Sequence, residues 1–199
     1  MPTITSIKQQ KNKNRINVYL DGEFGFGIDL DNFVLLHLKV DQQLTEKEVR
    51  EIVHKAEFQK DLDKTLRFAT VRPRSEKEIR DYFKRKNYDA LMHDKLIERL
   101  KHFDLLDDKK FAKWWAEQRL LQKKSLRRMI YDLRFKGVKK EIISEVLGEM
   151  KIDEEKVARE LLEKKAYKWK NLEPHLRRQK ITRYLAGRGF SWEVIEKVV

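Results

Sequence analysis

Residues 125–138 read SLRRMIYDLRFKGV. Met129 and Leu133 stand one helical turn apart, Gly137 follows a turn later, and Val138 comes directly after it. Apolar residues at that spacing form the buried stripe of a helix, and glycine takes the left-handed cap conformation without steric cost. The stretch therefore predicts a helix that stops at Gly137 and folds back through Val138. The same frame recurs at intervals of about fifty residues, as Ile79, Phe83, Asn87 and Tyr88 before it and as Ile181, Leu185, Gly189 and Phe190 after it. Fixed-period self-similarity of a helical unit is the mark of a repeat architecture, which builds an extended surface rather than a closed catalytic pocket.

Working outward, each frame is followed by a second apolar set at helical spacing: Leu96, Ile97 and Leu100; Ile142, Ile143, Val146 and Leu147; Val194, Ile195, Val198 and Val199. Each is preceded by a third: Leu66, Phe68 and Ala69; Phe111, Trp114 and Trp115; Val157, Leu161 and Leu162. Three tandem three-helix repeats follow, with boundaries at 63–108, 109–152 and 153–199. Ser75 with Glu78 is a capping box ahead of the first frame, and Ser125 holds the matching place in the second.

Residues 1–62 differ in kind. Ile16, Val18 and Leu20 alternate up to Asp21-Gly22, and Phe24, Phe26 and Ile28 alternate beyond it, which predicts a β-hairpin. A two-residue turn sets Gly25 and Gly27 opposite Val18 and Ile16, leaving apolar residues on both faces. So either the hairpin is covered on both sides or the loop is longer. Ile4 to Ile7 is a candidate third strand, and Thr45 with Glu48 opens a helix carrying Val49, Ile52, Val53 and Ala56. The fold class is mainly α: three three-helix repeats in an elongated, curved array behind a small β-hairpin and helix region.

Charge separates the same two parts. The chain carries +13 overall, yet residues 1–62 hold nine Lys or Arg against ten Asp or Glu, so the whole excess lies on the repeats. It is densest from Arg119 to Lys140, where nine basic residues face Asp132 alone. A single lysine on a helix face is ordinarily just solvated, but a block of that density favours a polyanion or an acidic protein surface.

Other chemistry finds no support. There are no cysteines, and the five histidines lack metal-ligand spacing. Phosphate-binding loops, nucleophile elbows and zinc-protease motifs are missing, so no enzyme and no cofactor is expected. Asp107 and Asp108 read as the N-cap region of the helix holding Trp114 and Trp115, and that tryptophan pair reads as core rather than as a base-stacking platform. No apolar run approaches a membrane span, and no signal-peptide core follows Met1, which together predict a cytoplasmic protein.

At this point the chain resembles the RecX family of recombinase regulators. The likeness is carried by Asp107, Asp108, Phe111, Ala112, Trp115, Gln118 and Arg119, then by Leu133, Lys136, Gly137 and Val138, matching a D-D-x-x-[FY]-A through L-x-x-K-G-[IV] pattern. Arg72 to Glu78 is similar to the R-x-R-S-x-x-E segment of the family's first repeat, and Arg15 to Ile28 to its amino-terminal hairpin. Two departures stand out: Ser125-Leu126 where the family often has Gly-Pro, and Arg177 where the third repeat lacks a serine. The resemblance implies a protein that lies in the groove of a RecA-type filament on single-stranded DNA, bridging subunits and hindering ATP hydrolysis, strand exchange and filament growth.

On that reading the contacts to filament or DNA are Arg72, Arg74, Arg119, Lys123, Lys124, Arg127, Arg128, Arg134, Lys136, Arg177, Arg178, Lys180 and Arg183, on the concave face of the repeats. No dimerisation segment is evident, so a monomer is expected, with the hairpin packing on the first repeat or meeting protein. The leading rival is a sequence-nonspecific nucleic-acid binder that acts by competing for DNA, with weaker, electrostatic binding to single or double strands. A third is a DNA-binding transcription factor, since three-helix units resemble helix-turn-helix modules.

Overall fold

Asp21 and Gly22 both hold positive φ, 50° and 88°, the backbone that a tight two-residue hairpin requires. In the computed structural model, which describes residues 1–199, they join strand β2 (Arg15–Leu20) to β3 (Glu23–Asp29), and β1 (Ile4–Gln9) adds antiparallel to β2. The expected register holds only for the first two pairs, Leu20 with Glu23 and Tyr19 with Phe24. A bulge at Gly25 then sets Val18 opposite Phe26 and Ile16 opposite Ile28. That extra residue resolves the problem of two apolar faces. It moves Phe26 and Ile28 to the side that already carries Ile16 and Val18, and all four are buried. A Cβ at Gly25 would sit 2.7 Å from Leu20 Cγ, so the bulge needs glycine.

The chain divides into two units, residues 1–70 with 88–96, and residues 71–87 with 97–199. In the first, the sheet packs Ile4, Val18, Phe26 and Ile28 against Ile52 and Ala56. Both belong to α2 (Glu46–Thr70), which follows the short α1 (Leu30–Leu35). Thr45 and Glu48 close the start of α2 reciprocally, Glu48 N–H to Thr45 Oγ1 at 3.2 Å and Thr45 N–H to Glu48 Oε2 at 2.7 Å. With no Gly or Pro between 46 and 70, α2 runs unbroken through residue 62, so the helix over the sheet also opens the first repeat.

The rest is short helices: α3 (Glu76–Arg85), α4 (His93–His102), α5 (Asp108–Leu121), α6 (Leu126–Phe135), α7 (Lys140–Glu149), α8 (Glu154–Glu163), α9 (Pro174–Gly187) and α10 (Trp192–Val198). The repeat frames stop them as read. Asn87, Gly137 and Gly189 have φ of 53°, 83° and 89°. Val138 and Phe190 donate back to Leu133 O and Leu185 O, and both side chains are buried. Phe111, Met129, Leu133, Val138, Ile143 and Val146 form the core of the second repeat; Val157, Leu161, Ile181, Leu185, Phe190 and Ile195 form that of the third, with Trp169 added. No helix is long and apolar enough to cross a membrane.

Within the second unit, successive repeats meet through one device used twice. Ser75 and Ser125, both fully buried, cap α3 and α6 by accepting from Glu78 N–H and Arg128 N–H. Each hydroxyl then donates to the last carbonyl of the corresponding helix in the next repeat: Ser75 to Lys136 O at 2.7 Å, Ser125 to Arg188 O at 3.2 Å. One hydroxyl thus satisfies two helix ends. The neighbouring N–H is taken by a carboxylate at the start of the next repeat's first helix as well, Glu76 N–H by Asp108, which opens α5 one residue before the boundary read at 109, and Leu126 N–H by Glu154. Asp107 is accordingly the N-cap of α5, and Asp108 is a bridge between repeats.

At the place of the missing serine in the third repeat, α9 starts a turn earlier at Pro174, and Arg177 lies inside the helix, exposed.

Replacing Ser125 with Ala removes a cap and strands the Arg188 carbonyl, so a loss of about 1–3 kcal/mol is expected in urea unfolding. Gly189→Ala should be destabilising too, because it strains a φ of 89° and brings a Cβ 2.8 Å from Ser125 Oγ. An unchanged midpoint for Ser125→Ala would mean the joint carries nothing.

Candidate functional site

The thirteen candidate cations fall into two classes, and two inward carboxylates gather four of them. The first is Glu78, on α3, whose carboxylate takes both Arg72 nitrogens at 3.0 and 3.1 Å and also Lys136 Nζ from α6. Burial by itself would raise the Glu78 pKa, but the hydrogen bonds from Arg72 and Lys136 outweigh it and hold the group below its ordinary value. The second is Asp132, 8% exposed, which meets Arg128 Nε at 3.0 Å. Arg119 Nε lies 2.8 Å from its other oxygen, out of line with the N–H, so that contact is ionic rather than a directed hydrogen bond.

The tryptophans complete these networks. Trp115 stacks on Phe111, with centroids 5.8 Å apart, and carries Arg119 and Lys136 over its ring at 4.4 and 5.0 Å; Arg72 lies 5.3 Å over Trp114. Both tryptophans are half-buried, as a core role requires. Lys123 pairs with Glu160 across the second joint. Arg74 is half-buried, and desolvation, then its neighbour Arg72, lowers its pKa. Arg72, Arg74, Arg119, Lys123 and Lys136 are therefore drawn into the protein's own fabric.

The remaining candidates face outward. Arg127, Arg128 and Arg134 are exposed on α6, and Arg177, Arg178, Lys180 and Arg183 are exposed on α9, with Lys124 half-buried just before Ser125. Helices α6 and α9 are the same helix of successive repeats. Of this set only Arg128 has a carboxylate partner. The middle and third repeats thus bring together a basic face on corresponding elements, whereas α3 breaks it with Asp81.

Sequence reasoning missed two members of the α6 face. Tyr131 and Phe135 are 60% and 67% exposed, one turn apart among the arginines. A signal was present in the repeat register: the same positions hold Asp81 and Arg85 in the first repeat and Arg183 and Gly187 in the third, so the core never needed an apolar side chain there.

Comparison with known proteins matches every part of the chain. The RecX N-terminal domain matches residues 2–45, and the first, second and third three-helix domains of RecX match residues 62–100, 107–147 and 153–199. The regulatory protein RecX of Clostridium beijerinckii is 33% identical over 203 residues, covering 100% of this chain and 95% of that protein. The RecX of Bacillus licheniformis is 32% identical over 198 residues, 98% of this chain and 75% of the relative. A crystal structure of a regulatory protein RecX superposes with a TM-score of 0.75 at 24% identity, over 100% of this chain and 98% of that one. RecX from Lactobacillus salivarius gives 0.64 at 21% identity, over 71% of this chain and 94% of that one.

The two charge classes respond differently to mutation. Glu78→Gln leaves two half-buried cations poorly matched and should cost about 1–3 kcal/mol at pH 7. Because the folded-state pKa of Glu78 is depressed, its stabilisation is present above its ordinary value of about 4.3 and is lost as pH falls through the folded value. The gap between wild type and Glu78→Gln should therefore narrow as pH falls below that ordinary value and through the folded one. A gap independent of pH would rule out the ionised carboxylate as its source.

Proposed function

Because the chain belongs to the RecX family, we propose that it regulates homologous recombination and DNA repair by binding a RecA-type filament on single-stranded DNA, slowing ATP hydrolysis, strand exchange and filament growth. It acts by binding rather than by catalysis, as a cytoplasmic monomer. The observation that carries this reading is the repeated, carboxylate-poor basic face on α6 and α9. Cations on the corresponding helices of successive repeats, with Arg128 and Lys180 at the same register position, suit a partner whose acidic features also repeat, as those of a helical polymer do. Each contact can be weak, because linked repeats gain from effective concentration.

The contacts we assign are Arg127, Arg128 and Arg134 on α6 with Arg177, Arg178, Lys180 and Arg183 on α9, and Lys124 beside them. Arg72, Arg119, Lys123 and Lys136 support that face from within through their ion pairs. The same outward cations also favour a second reading, a sequence-nonspecific nucleic-acid binder that acts by occupying DNA. That binding would be steeply salt-dependent.

Titrating the protein into recombinase hydrolysing ATP on single-stranded DNA separates the two. Inhibition far below the amount needed to coat the DNA, surviving excess competitor DNA, is the expected result; inhibition only near DNA saturation and abolished by competitor would replace it with the second reading. Arg127→Glu with Arg134→Glu should raise the half-inhibitory concentration about tenfold or more, equivalent to about 1.4 kcal/mol, with unchanged thermal melting. Undiminished inhibition would remove α6 from the contact surface.

A further inference from the structure

The outward face of α6 combines two features that the repeat fold does not require of it. Its rings, Tyr131 and Phe135, are exposed at positions that other repeats fill with charged residues or glycine. They lie four residues apart, about 6 Å along the axis. Cations flank them: Arg128 Cζ is 5.2 Å over the Tyr131 ring, Lys77 Nζ, itself paired with Asp81 at 2.9 Å, is 5.6 Å over Phe135, and Arg127 and Arg134 are exposed without an acidic partner. The helix holds one carboxylate, Asp132, and that is turned inward between Arg119 and Arg128. No negative charge on α6 itself opposes an anionic ligand at this face.

We propose that this face is a single-strand nucleic-acid site, in which Tyr131 and Phe135 stack on unpaired bases while Arg127 and Arg134 take the flanking phosphates. Exposed rings interleaved with cations are how proteins hold single strands irrespective of sequence: every base has a π-face, and the backbone supplies regular negative charge. A duplex offers the phosphates but keeps its bases stacked on each other, so the rings give the site a preference for single strands that charge alone lacks. An acidic protein would satisfy the arginines and leave the rings without a reason. The inference rests on α6 alone and does not depend on the recombinase-directed reading.

The test is fluorescence anisotropy of the full chain with a labelled oligothymidylate and with a hairpin duplex of equal length, at low and moderate salt. Tyr131→Ala with Phe135→Ala should weaken single-strand binding about 10- to 100-fold and duplex binding by less than about threefold. Phe135→Leu, which keeps apolar bulk and removes the π-face, should also weaken single-strand binding, and Tyr131→Trp should retain it. These side chains lie on the surface, so melting temperatures should match wild type. Should the double variant misfold, the two single substitutions decide the matter. The proposal is overturned if the wild type does not bind oligothymidylate, if both nucleic acids lose affinity equally, or if single-strand affinity is unchanged. In that last case a fall in recombinase inhibition would mark the face as a protein surface and leave the regulatory reading standing.

Discussion

Helix ends are the constraint on which this molecule depends. An α-helix leaves its first four N–H and last four C=O groups without internal partners, so a ten-residue helix such as α3, α6 or α7 has most of its backbone at an end. A protein assembled from such helices must close those groups from outside. The buried Ser75 and Ser125 hydroxyls do so at the points where repeats meet, each accepting from the start of one helix and donating to the finish of another. Capping and repeat assembly thereby become one interaction. Leaving one such buried group unsatisfied costs about 1–3 kcal/mol, a large part of the margin for a fold of ordinary stability.

The same economy governs charge. A chain that is 40% charged cannot keep every ionic group at the surface of small helical units. Glu78 and Asp132 are drawn in, and each gathers two cations. The cations they gather come from different elements, so neutralisation also fastens elements together. What stays outside on α6 is consequently more positive than its composition implies, because its one carboxylate, Asp132, is turned inward.

The local parts of this arrangement were legible in sequence. Apolar spacing, the residues with positive φ and the capping boxes depend on neighbours within a turn or two, and they identified the repeats and their stops. The sheet register was not legible, because the bulge at Gly25 is decided by which face the core covers. The fate of Arg72 and Lys136 was hidden for a similar reason: Glu78 lies 58 residues from Lys136, and a one-dimensional count of basic residues treats paired and free cations alike. The serine joints were half-visible. Their partners lie 61 and 63 residues away, nearly one repeat plus the length of one helix, so the periodicity held the information although the hydrogen bond did not show in it.

Helix α6 is fastened more completely than its counterparts. Its start is closed by Ser125, which also holds the third repeat through Arg188; its finish is closed by Ser75 on Lys136 O, and the Lys136 side chain reaches Glu78. Asp132 ties its middle to Arg119 on α5. Helix α3 has such a joint only at its start, and α9 starts without a side-chain cap. Ordering mobile groups is a principal cost of association, so a helix held at both ends and in its middle loses least when a partner arrives. It is on this helix that the exposed rings and unpaired arginines occur. The inward residues of the middle repeat hold this helix in place, and a firmly seated element is where a binding face is best presented.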